Sequence, residues 1–524
     1  MTTTTRSNER GIALVLALFL MTALSILGAS LMFLSQTETY ASMNYRMMSQ
    51  SRYAAESGVQ KASSFLLDPT QYDPMNPGDP LSNYDLTKSP VICVANCAHV
   101  GSPVVLSANA AVASNYPYAA AQTGFAAAAQ GALTVENGAT LNYKTTATLM
   151  SMQPFDSYGG AVQLLQVWRV TSDGSQAGTR SAVVEVEATI DSEKVPANSM
   201  AAFATASTCD ALYLHGNVQI NSYDSSSMAA NTNPTTVFEG GDVGSNGNVH
   251  IQGSIDLGGN MYSPRAGVGS CSNGAITAET ITGGGWSQNG SLMQLPHALV
   301  YPPPVFSTIP PPTAVTINSA LLLTGQAAAC ASLGLVGGTN CTIDAVAKTV
   351  TVNGNGTDVT MPSVTVAGGY KLIIAGHAPQ AQNVNINSFS GDVQINANLG
   401  ATNAGESVVL KVYGKDASGN ELANPFDLGA WTLNSNFDFD ASTLQIVYGG
   451  HASLSMGGNN SAAASIYAPN AAFSLHGTAD LYGSILAATI DNGGNPSIHY
   501  DSSLQTKFFV QGHPMLGTFT WKRF

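Results

Sequence analysis

The spacings of the cysteines in this chain allow disulfide formation or zinc binding. There are six of them: Cys93, Cys97, Cys209, Cys271, Cys330 and Cys341. By proximity we predict the disulfides Cys93–Cys97 and Cys330–Cys341. The remaining two cysteines then form the third bridge, Cys209–Cys271, although six cysteines allow fifteen connectivities. Zinc binding is the competing interpretation, and it is disfavoured because no histidine pair accompanies either short cysteine spacing.

The histidines and carboxylates form no recognisable catalytic motif. The nine histidines are isolated, and the sequence lacks HExxH, a GxSxG elbow, a Walker loop and a Rossmann glycine run. Asp438 and Asp440 lie two residues apart and are the nearest match to the acidic ligands of a pectate-lyase-like solenoid, but no base lies near them in sequence. We therefore predict that the chain is not an enzyme and holds no cofactor or metal. Residues 415–421 are predicted to form a hairpin turn rather than a calcium loop.

The composition excludes nucleic acid as a partner. The 524 residues include 18 basic and 32 acidic side chains, a formal charge of -14, and the cations are scattered singly. No basic stripe is present to neutralise a phosphate backbone. Charged residues make up 10% of the chain, against about 25% in ordinary soluble domains.

The N-terminal part of the chain is predicted to form a helix that can cross a membrane. Residues 11–37 carry no charge and exceed the length needed to span a hydrocarbon core of about 30 Å. Arg6 and Arg10 precede this segment, so the positive-inside rule predicts a cytoplasmic N-terminus, with everything after residue 37 on the far side. The alternative is a cleaved signal peptide, which is disfavoured because the apolar run is long and has no clear small-x-small cleavage site.

The helix is predicted to continue well beyond the membrane. An apolar stripe recurs at three- or four-residue spacing and includes Met43, Met47, Ala55, Val59, Ala62 and Leu66. Asp68 precedes a proline, which disfavours helical geometry and predicts the end of the helix there. The outer half is amphipathic, so it must pack on a globular domain or on neighbouring helices.

Two short motifs make this segment similar to a known family. A basic leader ends in Arg10-Gly11 and is followed by Ile-Ala-Leu-Val-Leu-Ala-Leu, and residues 52–58 read Arg-Tyr-Ala-Ala-Glu-Ser-Gly, which includes Ala54, Ala55, Glu56 and Gly58. Over residues 8–67 the chain resembles the N-terminal segment of PilX-type minor pilins of type IV pili. It resembles the K-type pseudopilin of type II secretion less closely.

The resemblance implies processing and a membrane location. Residues 1–11 correspond to a prepilin leader that a prepilin peptidase removes after Gly11, leaving Ile12 as the methylated N-terminus. Major pilins have Glu at the fifth mature position, whereas this chain has Leu16. A subunit with no neighbour above it lacks a partner for that carboxylate, which favours a tip or priming position; the other interpretation is that Leu16 simply faces lipid.

The remainder is predicted to be mostly β structure, in an α+β chain. After the helix at 12–67, residues 68–196 combine a Pro-, Asn- and Asp-rich loop insert with alternating strands, which indicate a small antiparallel β domain. From 197 to 524, short V-x-I strands flanked by Gly and Asn predict a β-solenoid, with a Pro-flanked insertion at about 300–345. A β-sandwich remains the alternative because the period is irregular. Residues 477–504 resemble, more weakly, a C-terminal domain often attached to pilin-like N-termini.

These features predict a minor pilin. We expect an inner-membrane, single-pass protein with a cytoplasmic N-terminus and periplasmic bulk, which other pilins or pseudopilins contact through the helix. At the assembled pilus it is expected to display its β domains for adhesion, with a surface or glycan ligand. The alternative is a membrane-tethered β-helix protein that binds or acts on carbohydrate.

Overall fold

A computed structural model describes most of the chain. The described residues are 9–68, 71–134, 140–158, 160, 162–176, 182–228, 232–263, 270–271, 274–275, 286–295, 298–306, 308–396, 405–426, 432–433, 439–458, 461–512 and 515–523. They form two compact units. The first comprises residues 1–155, 164–193 and 511–524, and the second comprises residues 156–163 and 194–510.

The helices are few and the strands are many. The α-helices are α1 (Glu9–Leu67), α2 (Ala119–Ala128), α3 (Ser319–Leu323) and α4 (Gln326–Ser332). The strands before residue 264 are β1 (Tyr84–Asp85), β2 (Ile92–Cys93), β3 (Val105–Ser107), β4 (Gln130–Thr134), β5 (Thr140–Asp156), β6 (Val162–Gln176), β7 (Ala182–Asp191), β8 (Lys194–Pro196), β9 (Ala202–Ala204), β10 (Leu212–Tyr223), β11 (Val243–Ser245), β12 (Val249–Leu257) and β13 (Met261–Ser263).

The later strands belong mostly to the second unit. They are β14 (Ser270–Cys271), β15 (Gly274–Ala275), β16 (Trp286–Gln288), β17 (Leu292–Gln294), β18 (Ala314–Ile317), β19 (Cys341–Asp344), β20 (Thr349–Val352), β21 (Val359–Val366), β22 (Lys371–Ala375), β23 (Gln382–Ser390), β24 (Val393–Asn396), β25 (Val408–Val412), β26 (Thr432–Leu433), β27 (Leu444–Tyr448), β28 (Leu454–Met456), β29 (Ser461–Gly477), β30 (Asp480–Gly494), β31 (Ser497–Asp501), β32 (Phe509–Gln511) and β33 (Met515–Arg523).

The first unit is a long helix packed on an antiparallel sheet. The sheet has the order β3-β5-β6-β7-β33, with β4 paired to β5. Its inward side chains alternate along β5 and β6, as expected for a sheet with one buried face. The last strand of the chain, β33, pairs with β7, so the second unit is inserted in sequence between two neighbouring strands of the first.

The predicted loop insert contributes to the core of the first unit. Tyr72, Tyr84 and Tyr116 are buried with Trp168, and their rings lie about 6 Å apart at mostly steep angles. The hydroxyl of Tyr72 donates to Gln166 over 3.0 Å. Helix α2, which the sequence analysis did not predict, adds Phe125 to the same core.

The second unit is dominated by parallel strand pairing. Its largest sheet has the order β16-β12-β10-β31-β30-β29-β27-β25-β23-β21-β18, and the pairs along it are parallel. Between β20 and β27 the chain alternates between this sheet and a second one of order β19-β20-β22-β24-β26. The inward aliphatic side chains of successive strands form one core.

The strand order does not follow the chain from end to end. The chain enters at β10, proceeds outward through β12 to β16, and reappears at the opposite end of the order as β18. A Pro-rich connector, residues 298–306 and 308–313, joins the two ends. From β18 the chain returns strand by strand to β31, which pairs with β10. Residues 219 and 497 are therefore register partners although they lie far apart in sequence.

The segment predicted as an insertion at about 300–345 is part of this architecture. Leu322, Cys330 and Leu333, from α3 and α4 and the residue that follows, are buried in the main core of the second unit. The predicted helix over residues 320–335 is observed as two short helices. The predicted boundary at residue 197 differs from the observed units, because residues 511–524 fall in the first and 156–163 in the second.

A long N-terminal apolar helix followed by mostly β structure is confirmed. The helix ends at Leu67, where the Asp-Pro sequence predicts its end. The finer prediction, a β-solenoid, is not confirmed, because the sheets are open.

Candidate functional site: the N-terminal helix and its sheet

The first half of α1 presents apolar side chains without any cover from the rest of the described chain. Ile12 and Leu16 are 64% and 62% exposed, and Phe33 is 70% exposed. Residues 12–67 contain a window of mean hydropathy 2.6, none of it buried, so the helix is long and apolar enough to cross a membrane. An exposed apolar surface of this length requires lipid or other apolar helices around it.

Hydroxyl groups in this half form hydrogen bonds within the helix. The hydroxyls of Ser25, Ser30 and Thr37 each donate to the carbonyl four residues earlier at 2.8 Å. Such bonds remove the need for water and make hydroxyl groups acceptable in a hydrocarbon environment. The prediction of an apolar anchoring helix therefore agrees with the geometry.

The second half of α1 becomes buried along one face. Ala54, Ala55 and Val59 have no exposed surface, and Phe65 is 2% exposed. Together they cover the inward face of the antiparallel sheet, as the amphipathic stripe predicts. Within the described chain the burial begins after Met43, which is 49% exposed.

Small residues bring the helix and the sheet unusually close together. A Cβ on Gly58 would overlap the hydroxyl of Ser172 and stand 2.7 Å from Thr145 Oγ1. Ser172 and Thr145 are themselves fully buried and joined by a 3.0 Å hydrogen bond. On the sheet side, a Cβ on Gly174 would overlap the carbonyl of Ser51 and stand 2.5 Å from the nitrogen of Ala55.

The charged residues of the motif stay at the surface of the same helix. Arg52 Nε lies 2.8 Å from Glu56 Oε1, an i, i+4 pair on partly exposed side chains. Such a pair contributes about 0.3–0.5 kcal/mol to the helix. Residues 52–58 thus divide into a face that packs on the sheet through Ala54, Ala55 and Gly58, and a face that keeps the ion pair in water.

Sequence analysis missed the sheet half of this contact. Gly174, Ser172 and Thr145 were not singled out. The available signal was a glycine inside the alternating strand that contains Gly174, because such a glycine often marks a close backbone approach.

The predicted processing residues lie at the start of α1. Gly11 and Ile12 are both helical, and residues 1–8 of the predicted leader lie outside the described residues. The side chain of Leu16, which the resemblance places at the fifth position after the predicted cleavage, is exposed.

The two predicted local disulfides are present. Cys93 and Cys97 are bonded, as are Cys330 and Cys341. Cys209 is also disulfide-bonded. The side chain of its predicted partner, Cys271, lies outside the described residues.

In the part of the second unit that the structure describes, the other candidate residues do not come together in one site. Asp440 caps a 3-10 turn by accepting from Ser442 N at 3.0 Å, and it pairs with Lys507 at 3.2 Å. Asp438 lies outside the described residues. His215 pairs with Asp491 at 2.8 Å and His250 with Asp210 at 3.1 Å, and both imidazole rings stack on Tyr213 with centroids 4.5 Å apart.

Two further observations concern metal and calcium binding. Within the described ranges, no group of three or more His, Cys, Asp or Glu side chains could hold a metal ion. The 415–421 segment is a turn closed by an antiparallel bridge between Lys415 and Glu421, as predicted.

Comparisons with known proteins identify the type of the N-terminal segment. Residues 10–60 match the family model described as PilX N-terminal. Residues 342–507 match a second model, described as a domain of unknown function (DUF7305), and this range covers the C-terminal segment that resembled an attached domain. No curated protein matches the chain.

A solved structure aligns over most of the chain. It is the crystal structure of the competence-associated pilin ComZ from Thermus thermophilus, with 14% sequence identity over 91% of this chain and 98% of that one. The TM-score is 0.25, which is too low to support an argument about fold or function.

The N-terminal resemblance is therefore confirmed. The chain carries the N-terminal segment of a PilX-type, pilus-associated minor pilin, with an apolar anchoring helix at its start. A helix of this type associates with a membrane and with other pilins.

Proposed function

We propose that this chain is a minor pilin of a type IV pilus that anchors in the bacterial inner membrane through residues 12–34, with its N-terminus in the cytoplasm and both β units on the far side. One observation carries the proposal: α1 is uncovered and apolar in its first half and packed on a sheet in its second. A helix built in this way can exchange lipid contacts for contacts with neighbouring helices at little net free-energy cost. The basic residues before it favour the stated orientation.

We propose that a prepilin peptidase removes residues 1–11. N-terminal sequencing of the membrane-fraction protein tests this, and a methylated Ile12 is the expected first residue. Gly11→Leu should leave the leader attached and block incorporation into pili. Gly28→Leu, in the same helix and with no atom within 4 Å of an added Cβ, is the matched control for cleavage and should still lose residues 1–11. An intact Met1 in the wild-type protein would contradict the proposal.

We propose a position at the tip or in the priming complex rather than along the shaft. The support is Leu16. An unpaired carboxylate buried at this depth in the membrane would cost about a few kcal/mol, and a neutral residue avoids that cost. Immunogold labelling of pili tests this. Label along the whole shaft would contradict a tip position, and incorporation only into a type II secretion pseudopilus would favour the K-type assignment.

We propose that the second unit is a β-solenoid that displays a surface for adhesion. The parallel strand order and the alternation between two sheets support this description. Glu193 and Gly512 are joined by a 2.7 Å backbone hydrogen bond, so a short Gly-Asn turn can replace residues 194–511 and leave β7 and β33 paired. The truncated protein should enter pili normally, while adhesion of the cells falls. Unchanged adhesion would contradict the proposed role.

We propose that the chain does not catalyse a reaction. The residues closest to a catalytic pattern are engaged in structure, since Asp440 caps a turn and pairs with Lys507. Incubating the full chain with polysaccharides and measuring released reducing ends tests this. Turnover that an Asp440→Asn variant abolishes would support the carbohydrate-active alternative.

A further inference from the structure

The outer face of the large parallel sheet contains a buried amide without a hydrogen-bond partner. Asn385 alternates along β23 with Val384 and Ile386, which belong to the core, so its side chain lies on the opposite face. Asn385 is 1% exposed, and neither Nδ2 nor Oδ1 has a hydrogen-bond partner. A buried amide in this state is costly and calls for an explanation, such as a bound ion or other ligand.

The neighbouring asparagines on the same strand are satisfied. Asn383 donates to Asp358 at 2.8 Å. Asn387 donates to Ser363 at 2.8 Å and accepts from the backbone of Lys415 at 3.1 Å. Asn385, which lies between them, is the exception, so the lack of a partner is a local property of its position and not of the strand.

A half-buried lysine stands beside this amide. Lys411 on β25 is the register partner of Asn385, and among the described residues no hydrogen bond or ion pair engages its amino group. Burial lowers the pKa of Lys411, and Asp358 acts in the opposite direction. Asp358 is exposed and already accepts from Asn383.

Backbone groups border the same place. Lys411 Nζ lies 3.2 Å from where a Cβ on Gly160 would stand, and the carbonyl oxygen of Val305, in the Pro-rich connector, lies 3.5 Å from that point. Glycine at this position leaves room beside the amino group. On the far side of Asn385, its register partner is Thr360, which supplies a hydroxyl to the row.

Thr360, Asn385 and Lys411 lie side by side on three neighbouring strands. The hydrogen-bonding groups of Asn385 and Lys411 that lack a partner specify the chemistry of a ligand. The ammonium of Lys411 and the Nδ2 of Asn385 both need an acceptor, whereas the Oδ1 of Asn385 needs a donor. A carboxylate supplies the acceptor and favours the charged form of the lysine. A hydroxyl on the carbon next to the one that bears the carboxylate supplies the donor. Acidic sugars carry both groups within one residue.

We propose that Thr360, Asn385 and Lys411 form a binding site for the carboxylate and neighbouring hydroxyl of an acidic sugar. This inference rests on the proposed adhesive role of the second unit and names its ligand class. Lys411 is partly exposed, so solvent reaches the site beside its side chain, whereas Asn385 lies beneath the surface.

Calorimetric titration of the full chain in detergent micelles with glucuronate tests the site. We expect binding that weakens at least tenfold in Lys411→Met and in Asn385→Leu. Lys371→Met and Asn383→Ala are the matched controls and should bind as the wild type does, because Lys371 is already paired with Asp392 and Asn383 with Asp358. Glucose, which lacks the carboxylate, and acetate, which lacks the hydroxyl, should both bind more weakly.

Three results would overturn the site. One is an absence of glucuronate binding by the wild type together with a melting temperature of Asn385→Leu above that of the wild type. This result would show that the buried amide only destabilises the fold. Another is equal binding of acetate and glucuronate, which excludes a sugar. The third is full binding by both site variants. Normal pilus incorporation alongside any of these would leave the minor pilin assignment intact.

Discussion

Gly58 on α1 packs directly against Ser172 on β6, with no room for a Cβ between them. The hydroxyl of Ser172 is held in place by Thr145 at 3.0 Å, and both side chains are fully buried. The last residue of the Ala-Ala-Glu-Ser-Gly motif is therefore fixed by its neighbour on the sheet. This contact explains the motif as a packing feature of the first unit, while the apolar first half of α1 remains free to associate with other helices.

Gly58→Ala should destabilise the first unit. At an exposed helical position the same change stabilises by about 1 kcal/mol, because alanine favours helix. Here the added methyl overlaps a buried hydroxyl, and overpacking of this kind costs about 1–3 kcal/mol. The measurement is hydrogen exchange of the β6 amides in the full chain, which should accelerate.

Gly28→Ala is the control for the predicted destabilisation by Gly58→Ala. It lies in the same helix with nothing within 4 Å of the added Cβ, so β6 exchange should not change. If both variants behave alike, the close contact at Gly58 does not determine stability.

Removal of the last strand should unfold the edge of the first unit. β33 pairs with β7 from Met515 opposite Asp191 to Arg523 opposite Glu185. A chain that stops after Gly512 leaves the backbone groups of β7 without these partners, and each lost hydrogen bond costs about 1 kcal/mol. We expect fast exchange throughout β7 and loss of pilus incorporation. A chain that lacks only Phe524 is the control, and slow exchange in the longer truncation would contradict the prediction.

Local sequence signals predicted the parts of this fold that depend on local physics. The end of α1 follows from Asp68 preceding a proline, and the packing of Ala55 and Val59 follows from their helical spacing. The two short-range disulfides follow from proximity. In each case the determining interaction lies within a few residues along the chain.

Long-range pairing could not be read from the same signals. Short V-x-I strands resemble one another, so alternation alone does not tell which of them are neighbours. The pairing of β10 with β31, the path of the Pro-rich connector and the return of β33 to the first unit all join segments far apart in sequence. Asn385 was missed for the same reason. Its burial, its lack of a hydrogen-bond partner and its position beside Lys411 all depend on strand pairing between segments that are separated in sequence.

Loss of the Cys330–Cys341 bridge should loosen one end of the second unit. The bridge joins α4 to β19, and both sulfur-bearing residues are buried in the core. Closing a loop of this length contributes about 2–3 kcal/mol. In the Cys330→Ala, Cys341→Ala double variant we expect faster hydrogen exchange in α3, α4 and β19. The corresponding Cys93→Ala, Cys97→Ala variant should leave these amides unaffected, and uniform acceleration in both would count against a local role.

His499 should make the second unit less stable in mild acid. Burial lowers the pKa of His499 below its ordinary value of 6.5, although Asp480 acts in the opposite direction. The folded state therefore binds the proton less readily than the unfolded state, so stability is lost as the pH falls from about 6.5 towards the folded pKa. His499→Gln should flatten the decline in unfolding free energy between pH 7 and pH 5. The exposed His476→Gln is the control, and an unchanged slope in His499→Gln would contradict the mechanism.

Asp501 should act in the opposite direction, because it is a buried carboxyl with a raised pKa. Its side chain has no exposed surface and accepts from Ser225 Oγ at 2.7 Å and from Ala441 N at 3.2 Å. Burial raises the pKa of Asp501, although the hydrogen bonds from Ser225 lower it in part. The folded state then binds the proton more readily than the unfolded state, so this contribution to stability is present in acid and is lost as the pH rises from about 3.8 through the folded pKa.

Asp501→Asn removes that titration while it keeps the size of the side chain. It should cost about 1–3 kcal/mol, because an amide NH2 faces groups that donate, and the cost relative to the wild type should be larger at pH 4 than at pH 7. The exposed Asp224, which caps an equivalent 3-10 turn through Ser226 N at 3.0 Å, provides the control in Asp224→Asn. Denaturation of the three proteins at both pH values measures the difference, and an equal cost of Asp501→Asn at pH 4 and pH 7 would show that Asp501 does not titrate in this range.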